Sequence, residues 1–337
     1  MKPLLTVTAV LAATAGYGLS RRQRHVTAAA PELRNAQLYV PLSVRSDASL
    51  RVGRKLMAAR PAEPAADGIE MRTDELPATA VRPAVPVVVY EPGDRSVPSG
   101  ALLWMHGGGL VMGSPESGHA LCGRLAAELG ILVVSVDYRL APEDPFPAGL
   151  DDCVDALAWV HDHASDLGVD VDRIAVGGDS AGAGLAACLA QLAHDRGGPA
   201  ICFQLLQYPM LDDRTPRTEG HDALVWSAAS NRYAWSAYLG EPAGRLDPAP
   251  YAAAARRTDL AGLPPAWIGI GDIDLFHDEA VDDAQRLDAA GVEVELHVEP
   301  GMYHAADVFA PVARSMQQFR DRMVTALGDA LSATVDA

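Results

Sequence analysis

Residues 173–182 read Arg-Ile-Ala-Val-Gly-Gly-Asp-Ser-Ala-Gly, and this stretch decides the fold. An apolar β-type run, Arg173–Val176, enters Gly178-Asp179-Ser180-Ala181-Gly182, and helical periodicity follows over 181–195. Strand, glycine-flanked serine and helix in that order form the G-x-S-x-G elbow. The chain must turn sharply there and hold the serine hydroxyl exposed. Glycines on both sides remove side chains that would collide in the turn. The following helix points its positive end at the serine, where negative charge develops.

The surroundings repeat the alternation. Ile69–Leu76 and Val85–Tyr90 read as two strands linked by a polar, proline-bearing turn. Ala101–Met105, Ile131–Val136, Cys202–Gln207, Ala266–Ile270 and Val292–Val298 read as further strands. Helical patterns fill 116–129, 150–167, 277–290 and 311–331. The expected fold is α/β: a mostly parallel eight-stranded sheet flanked by helices, with an antiparallel edge at its start. Residues 25–65 look helical and amphipathic, broken by prolines 31, 41, 61 and 64. The block 212–262 interrupts the alternation and carries Trp226, Tyr233, Trp235, Tyr238 and Tyr251. The expected division is therefore 1–67 as N-terminal segment and cap helices, 68–211 with 263–337 as the catalytic domain, and 212–262 as a helical cap insertion.

Three loops deliver candidate chemistry to one edge of this sheet. His106-Gly107-Gly108-Gly109 follows a strand and can aim backbone N–H groups at an oxyanion. Gly108, Gly109 and Ala181 are the expected donors. A phosphate loop would end in Lys-Ser/Thr, and Leu110-Val111 stands there instead. His106, Gly107 and Asp179 are expected to support the loop. Asp272 and Asp274 follow one strand and His304 follows the last. Asp274 is the expected acid, His304 the general base and Ser180 the nucleophile. His277 opens a helix three residues after the acid and competes less well as a base.

These motifs, with Asp137-Tyr138-Arg139-Leu140-Ala141-Pro142-Glu143 and Phe146-Pro147-Ala148, resemble the hormone-sensitive-lipase-like group of α/β hydrolases, the bacterial family IV esterases. The resemblance covers residues 68 to about 325. It implies an α/β-hydrolase fold, a Ser180-His304-Asp274 triad, oxyanion donors at Gly108, Gly109 and Ala181, and a helical cap. It also implies cofactor-independent hydrolysis of small acyl esters through an acyl-enzyme. Amidase or lactone hydrolase chemistry on the same triad, or non-catalytic ligand binding, are the alternatives. Ile273 and Leu275 depart from the family's usual turn, which leaves Asp272 as the reserve acid. Arg139 and Glu143 are expected to brace the loop under the elbow by pairing with each other.

Composition bounds the partners. Among 337 residues, 49% are hydrophobic and 21% charged, which suits a globular protein that buries a large core. The net charge of −17 repels polyanions, so nucleic acid is not expected as a partner. The expected partner is a small-molecule ester, with no stable membrane partner and a homodimer as an option. Cys122, Cys153, Cys188 and Cys202 show no zinc spacing and read as buried free thiols. The acidic run from Asp272 to Asp283 lacks the glycine and spacing of a calcium loop, so no metal is expected. Residues 4–19 are apolar, but Arg21-Arg22-Gln23-Arg24 follows them, against the order of a signal peptide. A cytoplasmic location is expected; export or anchoring through residues 1–20 is the alternative.

Overall fold

The computed structural model describes residues 22–40, 43–59, 64–215 and 223–332. The apolar run 4–19 lies outside them. Among the described residues, eight strands form one sheet in the order β1-β2-β4-β3-β5-β6-β7-β8. They are β1 (Ile69–Leu76), β2 (Val85–Pro92), β3 (Ser99–Met105), β4 (Leu132–Val136), β5 (Val169–Asp179), β6 (Phe203–Gln207), β7 (Ala266–Gly271) and β8 (Val294–Glu299). β1 pairs antiparallel with β2, and β2 antiparallel with β4. All later pairings are parallel.

The central strands carry apolar side chains toward both faces, because helices cover both. Every residue of β3, β4, β6 and β7 is buried. β1, at one edge, is exposed or half-buried except for Leu76 at its end, which is buried. Helices His119–Leu129 and Arg314–Ser332 pack together; Ala148–Asp162 packs on Ala181–Arg196. The last of these is buried along nearly its whole length. Its small residues (Ala181, Gly182, Ala183, Gly184, Ala186, Ala187) let it approach the sheet closely.

Two regions are less regular than the sheet domain. In the described part of 25–65, helix forms in short pieces, in keeping with its proline breaks. Residues 22–28 are helical, 3-10 turns follow at Pro31–Leu33 and Ala36–Tyr39, and a helix forms at Asp47–Ala58. The last begins where Ser46 and Ser49 cap each other reciprocally. Ala30 is extended at φ −54° and ψ 140°, since a proline disfavours helical geometry in the residue before it, so the first helix cannot run through Pro31. In the described part of 212–262, a 3-10 turn forms at Ala254–Arg256 and one α-helix forms, Ala228–Leu239. Gly240, Pro242, Pro248 and Pro250 follow and prevent its continuation.

The four cysteines are free thiols. Cys122, Cys153 and Cys188 are buried and Cys202 is half-buried. Burial pushes the Cys188 thiol up to about 12 and Cys202 up to about 11. No helix among the described residues is long and apolar enough to cross a membrane.

Candidate active site

β5 ends at Asp179, and the next helix starts at Ala181. Ser180 alone makes the turn, at φ 54° and ψ −116°. That conformation is strained for a residue with a Cβ and must be held by its surroundings. Ser180 N–H donates to the Gln207 carbonyl (2.8 Å), while its own carbonyl accepts from Gly184 (3.1 Å) and Met210 (3.0 Å). A Cβ on Gly182 would collide with the Met105 carbonyl, and one on Gly178 would press against the helix backbone at Gly182. The elbow thus sits directly on the end of β3, which leads into the glycine loop.

The Ser180 hydroxyl lies 2.9 Å from His304 Nε2. His304 Nδ1 lies 2.9 Å from Asp274 Oδ2. All three residues are buried. The carboxylate is an acceptor, so the imidazole proton belongs on Nδ1 and leaves Nε2 free to accept from the serine. Asp274 Oδ1 accepts from the Phe276 N–H (3.0 Å), which fixes the carboxylate. Tyr208 and Phe276 contact the imidazole edge-on from centroids 5.0 Å away and hold the ring plane. Asp272 is committed elsewhere: its Oδ1 accepts from the Gly301 N–H (2.6 Å) and ties the acid loop to the histidine loop. His277 turns to Asp278, 2.8 Å away.

The glycine loop lies against the elbow. Gly107 N–H donates to Asp179 Oδ1 (2.9 Å). Gly108 sits at φ 127°, and a Cβ there would strike the Met112 carbonyl. That carbonyl lies close because the loop curls back, with Met112 N–H donating to the Gly108 carbonyl (3.1 Å). The N–H groups of Gly108, Gly109 and Ala181 meet no protein acceptor among the described residues. His106 is fully buried, stacked on Tyr138 at 4.3 Å, with Nδ1 2.9 Å from the Gly107 carbonyl. Burial lowers its pKa to about 4, so it is neutral and braces the loop. Burial, and then the nearby Asp307, raise Asp179 to about 7.

Several participants carry no local signature. Asp307 lies one turn after His304, buried, with Oδ1 accepting from the Tyr208 hydroxyl (3.0 Å) and Oδ2 from Gln207 Nε2 (2.9 Å). An acid inside the apolar run Ala305–Phe309 is the one hint the sequence holds. Arg139 and Glu143 do not pair with each other. Arg139 forks onto the buried Asp152 (2.7 Å), and Glu143 takes Arg54 (2.8 Å). The guanidinium reaches Asp152 because the helix Ala148–Asp162 folds back under the loop.

The N-terminal segment crosses this edge of the sheet. Ala30 N–H donates to the Gly301 carbonyl (3.0 Å), and the Tyr303 hydroxyl donates to the Leu33 carbonyl (3.0 Å). Further on, Val44 N–H donates to the Ser230 hydroxyl (3.0 Å), and the Tyr233 hydroxyl donates to Asp47 (2.7 Å). Arg54 Nε then donates to the Val111 carbonyl (2.8 Å) beyond the glycine loop. A Cβ on Gly109 would collide with the Trp226 indole.

Comparisons with known proteins identify the family. Residues 102–308 match the family described as alpha/beta hydrolase fold. The chain belongs to the hormone-sensitive-lipase-like α/β hydrolases. It is 42% identical to Carboxylesterase NlhH of Mycobacterium tuberculosis over 257 residues, covering 74% of this chain and 79% of that protein. Ethyl acetate hydrolase of Pseudomonas putida is 39% identical, covering 65% of this chain and 70% of its own. Among solved structures, bacterial heroin esterase superposes with a TM-score of 0.84 at 36% identity, covering 91% of this chain and 99% of that one. This α/β hydrolase is a carboxylic ester hydrolase.

Proposed function

We propose that this esterase cleaves small acyl esters through a covalent acyl-enzyme on Ser180. The observation that carries the reading is the unbroken chain from the Ser180 hydroxyl through both nitrogens of His304 to Asp274, each link 2.9 Å. His304 Nε2 takes the serine proton as Oγ attacks the ester carbonyl. The Gly108, Gly109 and Ala181 N–H groups receive the oxyanion of the tetrahedral intermediate. As the intermediate collapses, the C–O bond to the alcohol breaks and the imidazolium returns the proton to that oxygen. Water then attacks the acyl-serine, with the same imidazole as base, releasing the acid and restoring the serine. Asp274 holds the tautomer and stabilises the imidazolium in both halves.

The small-ester preference draws on the relative named ethyl acetate hydrolase and on the cover over the site. In this reading the N-terminal segment and the 212–262 block form that cover, the first clasping both the histidine and glycine loops, the second placing Trp226 over Gly109. Purified protein is expected to hydrolyse a short-chain nitrophenyl ester. Ser180→Ala should lower kcat by about 10⁴-fold or more, with the fold intact by circular dichroism. Turnover retained in that variant would place the nucleophile elsewhere.

A further inference from the structure

We infer that Asp307 is a positioning residue for the His304–Ser180 pair, acting through Gln207 and Tyr208. The inference rests on the proposed role of Ser180 and deepens it. The Asp307 carboxylate is buried and uses both oxygens on one neighbouring segment, the end of β6. Gln207 Nε2 donates to one oxygen and the Tyr208 hydroxyl to the other. These two residues touch opposite partners of the reacting pair. The Gln207 carbonyl accepts the N–H of Ser180 and so fixes the strained elbow (2.8 Å). The Tyr208 ring meets the His304 imidazole edge-on at 5.0 Å. Tyr208 itself sits at φ 36°, a backbone conformation that needs outside support.

Asp307 lies in the short helix Ala306–Phe309 directly after the His304 loop, so the carboxylate is a tie between the histidine loop and the segment that holds the elbow. Ala305, between His304 and that helix, adopts a left-handed conformation at φ 58° that turns the chain toward β6. Nothing in the proton-transfer sequence needs a second buried acid here. Burying a carboxylate is costly, and both its oxygens are satisfied by the groups that frame the reaction. Other charged or titratable groups facing this cluster are Asp179 on the elbow, Asp274 on the acid loop and Arg320 on the C-terminal helix.

The test uses the full chain with active serines counted by a fluorophosphonate. Asp307→Asn keeps the shape and removes one acceptor, while Tyr208→Phe removes a single hydroxyl. Each is expected to lower kcat per titrated serine about tenfold on a short nitrophenyl ester, with KM within about twofold, since a small misplacement of reacting groups acts on the chemical step. The double variant should fall no further than the weaker single, because both break one tie. A parental kcat per titrated serine in either single variant overturns the inference. Losses that multiply to about a hundredfold in the double also overturn it. Should Asp307→Asn fail to fold, Tyr208→Phe decides alone. These outcomes are separate from the proposed nucleophile, which stands or falls on Ser180→Ala.

Discussion

The sheet edge and the outer side of the N-terminal segment that crosses it are built on opposite physical terms. At the edge, backbone meets backbone: the elbow rests on the end of β3 where no Cβ fits, and the glycine loop curls onto itself in the same way. The groups that hold it, His106, Asp179, Asp274 and Asp307, are buried or nearly so. The crossing segment shares some of this, with Ala30 on Gly301 and Leu33 on Tyr303, but its outer side holds by side chains near solvent, such as Arg54 with Glu143 and Asp47 with Tyr233. Exposed ion pairs contribute little, whereas a buried polar group that loses its partner costs a great deal. Geometry at the edge should therefore tolerate almost no change, and the solvent-side pairs of the crossing segment should tolerate a good deal.

The largest expected effect separates two aspartates on one loop. Asp274→Asn should lower kcat by about 10⁴-fold, because an amide cannot hold the same imidazole tautomer. Asp272→Asn loses only the charge on a hydrogen bond to Gly301, and a drop of about tenfold or less in kcat is expected. Steady-state kinetics of the pair read this directly. Equal losses would mean that the edge acts as one rigid unit in which bracing and chemistry cannot be separated.

The same contrast explains what the sequence could disclose. The elbow and the glycine loop are legible because close backbone approach leaves room for one residue type, and these positions announce it. Strand ends are less legible. β5 extends from Val169 rather than Arg173: Val169 pairs with Ser99, the register then shifts, and the regular ladder begins only at Ile174, where the apolar pattern begins too. Partners far apart in the chain leave no trace. Glu143 lies four residues from Arg139 and looks like its partner, yet the fold brings Arg54 to it from 89 residues away. Asp307 meets Gln207 and Tyr208 across about a hundred residues, and no periodicity announces that.

A second test concerns the stability of the edge with pH. The folded pKa of His106, about 4, lies below its unfolded value of about 6.5. On acidification the unfolded chain takes up this proton first. The neutral ring's contribution is thus complete above about pH 6.5 and is lost as pH falls toward 4, an effect of about 3 kcal/mol. His106→Phe keeps the stack on Tyr138 but cannot titrate. Urea unfolding at pH 7 and pH 4.5 should therefore show a shallower acid loss in the variant. Identical pH slopes would show that the ring is not held neutral, and that the edge is softer than its burial implies.

The smallest effect is expected on the crossing segment. Arg54 forks onto Glu143, whose side chain is 60% exposed, and also donates to the Val111 and Ala141 carbonyls. Arg54→Ala should cost about 1 kcal/mol of stability, most of it from the carbonyl bonds, since water and salt screen the exposed pair. If the segment serves as a cover, kcat should hold within about twofold while KM rises a few-fold, because a loosened cover weakens binding of substrate and transition state alike. Added salt should change the parent little, as the exposed pair is already screened. A fall in kcat comparable to that of Asp274→Asn would break the comparison. It would mean that Arg54, through Val111, sets the angle of the glycine loop, and that the segment over the site belongs to the machinery beneath it.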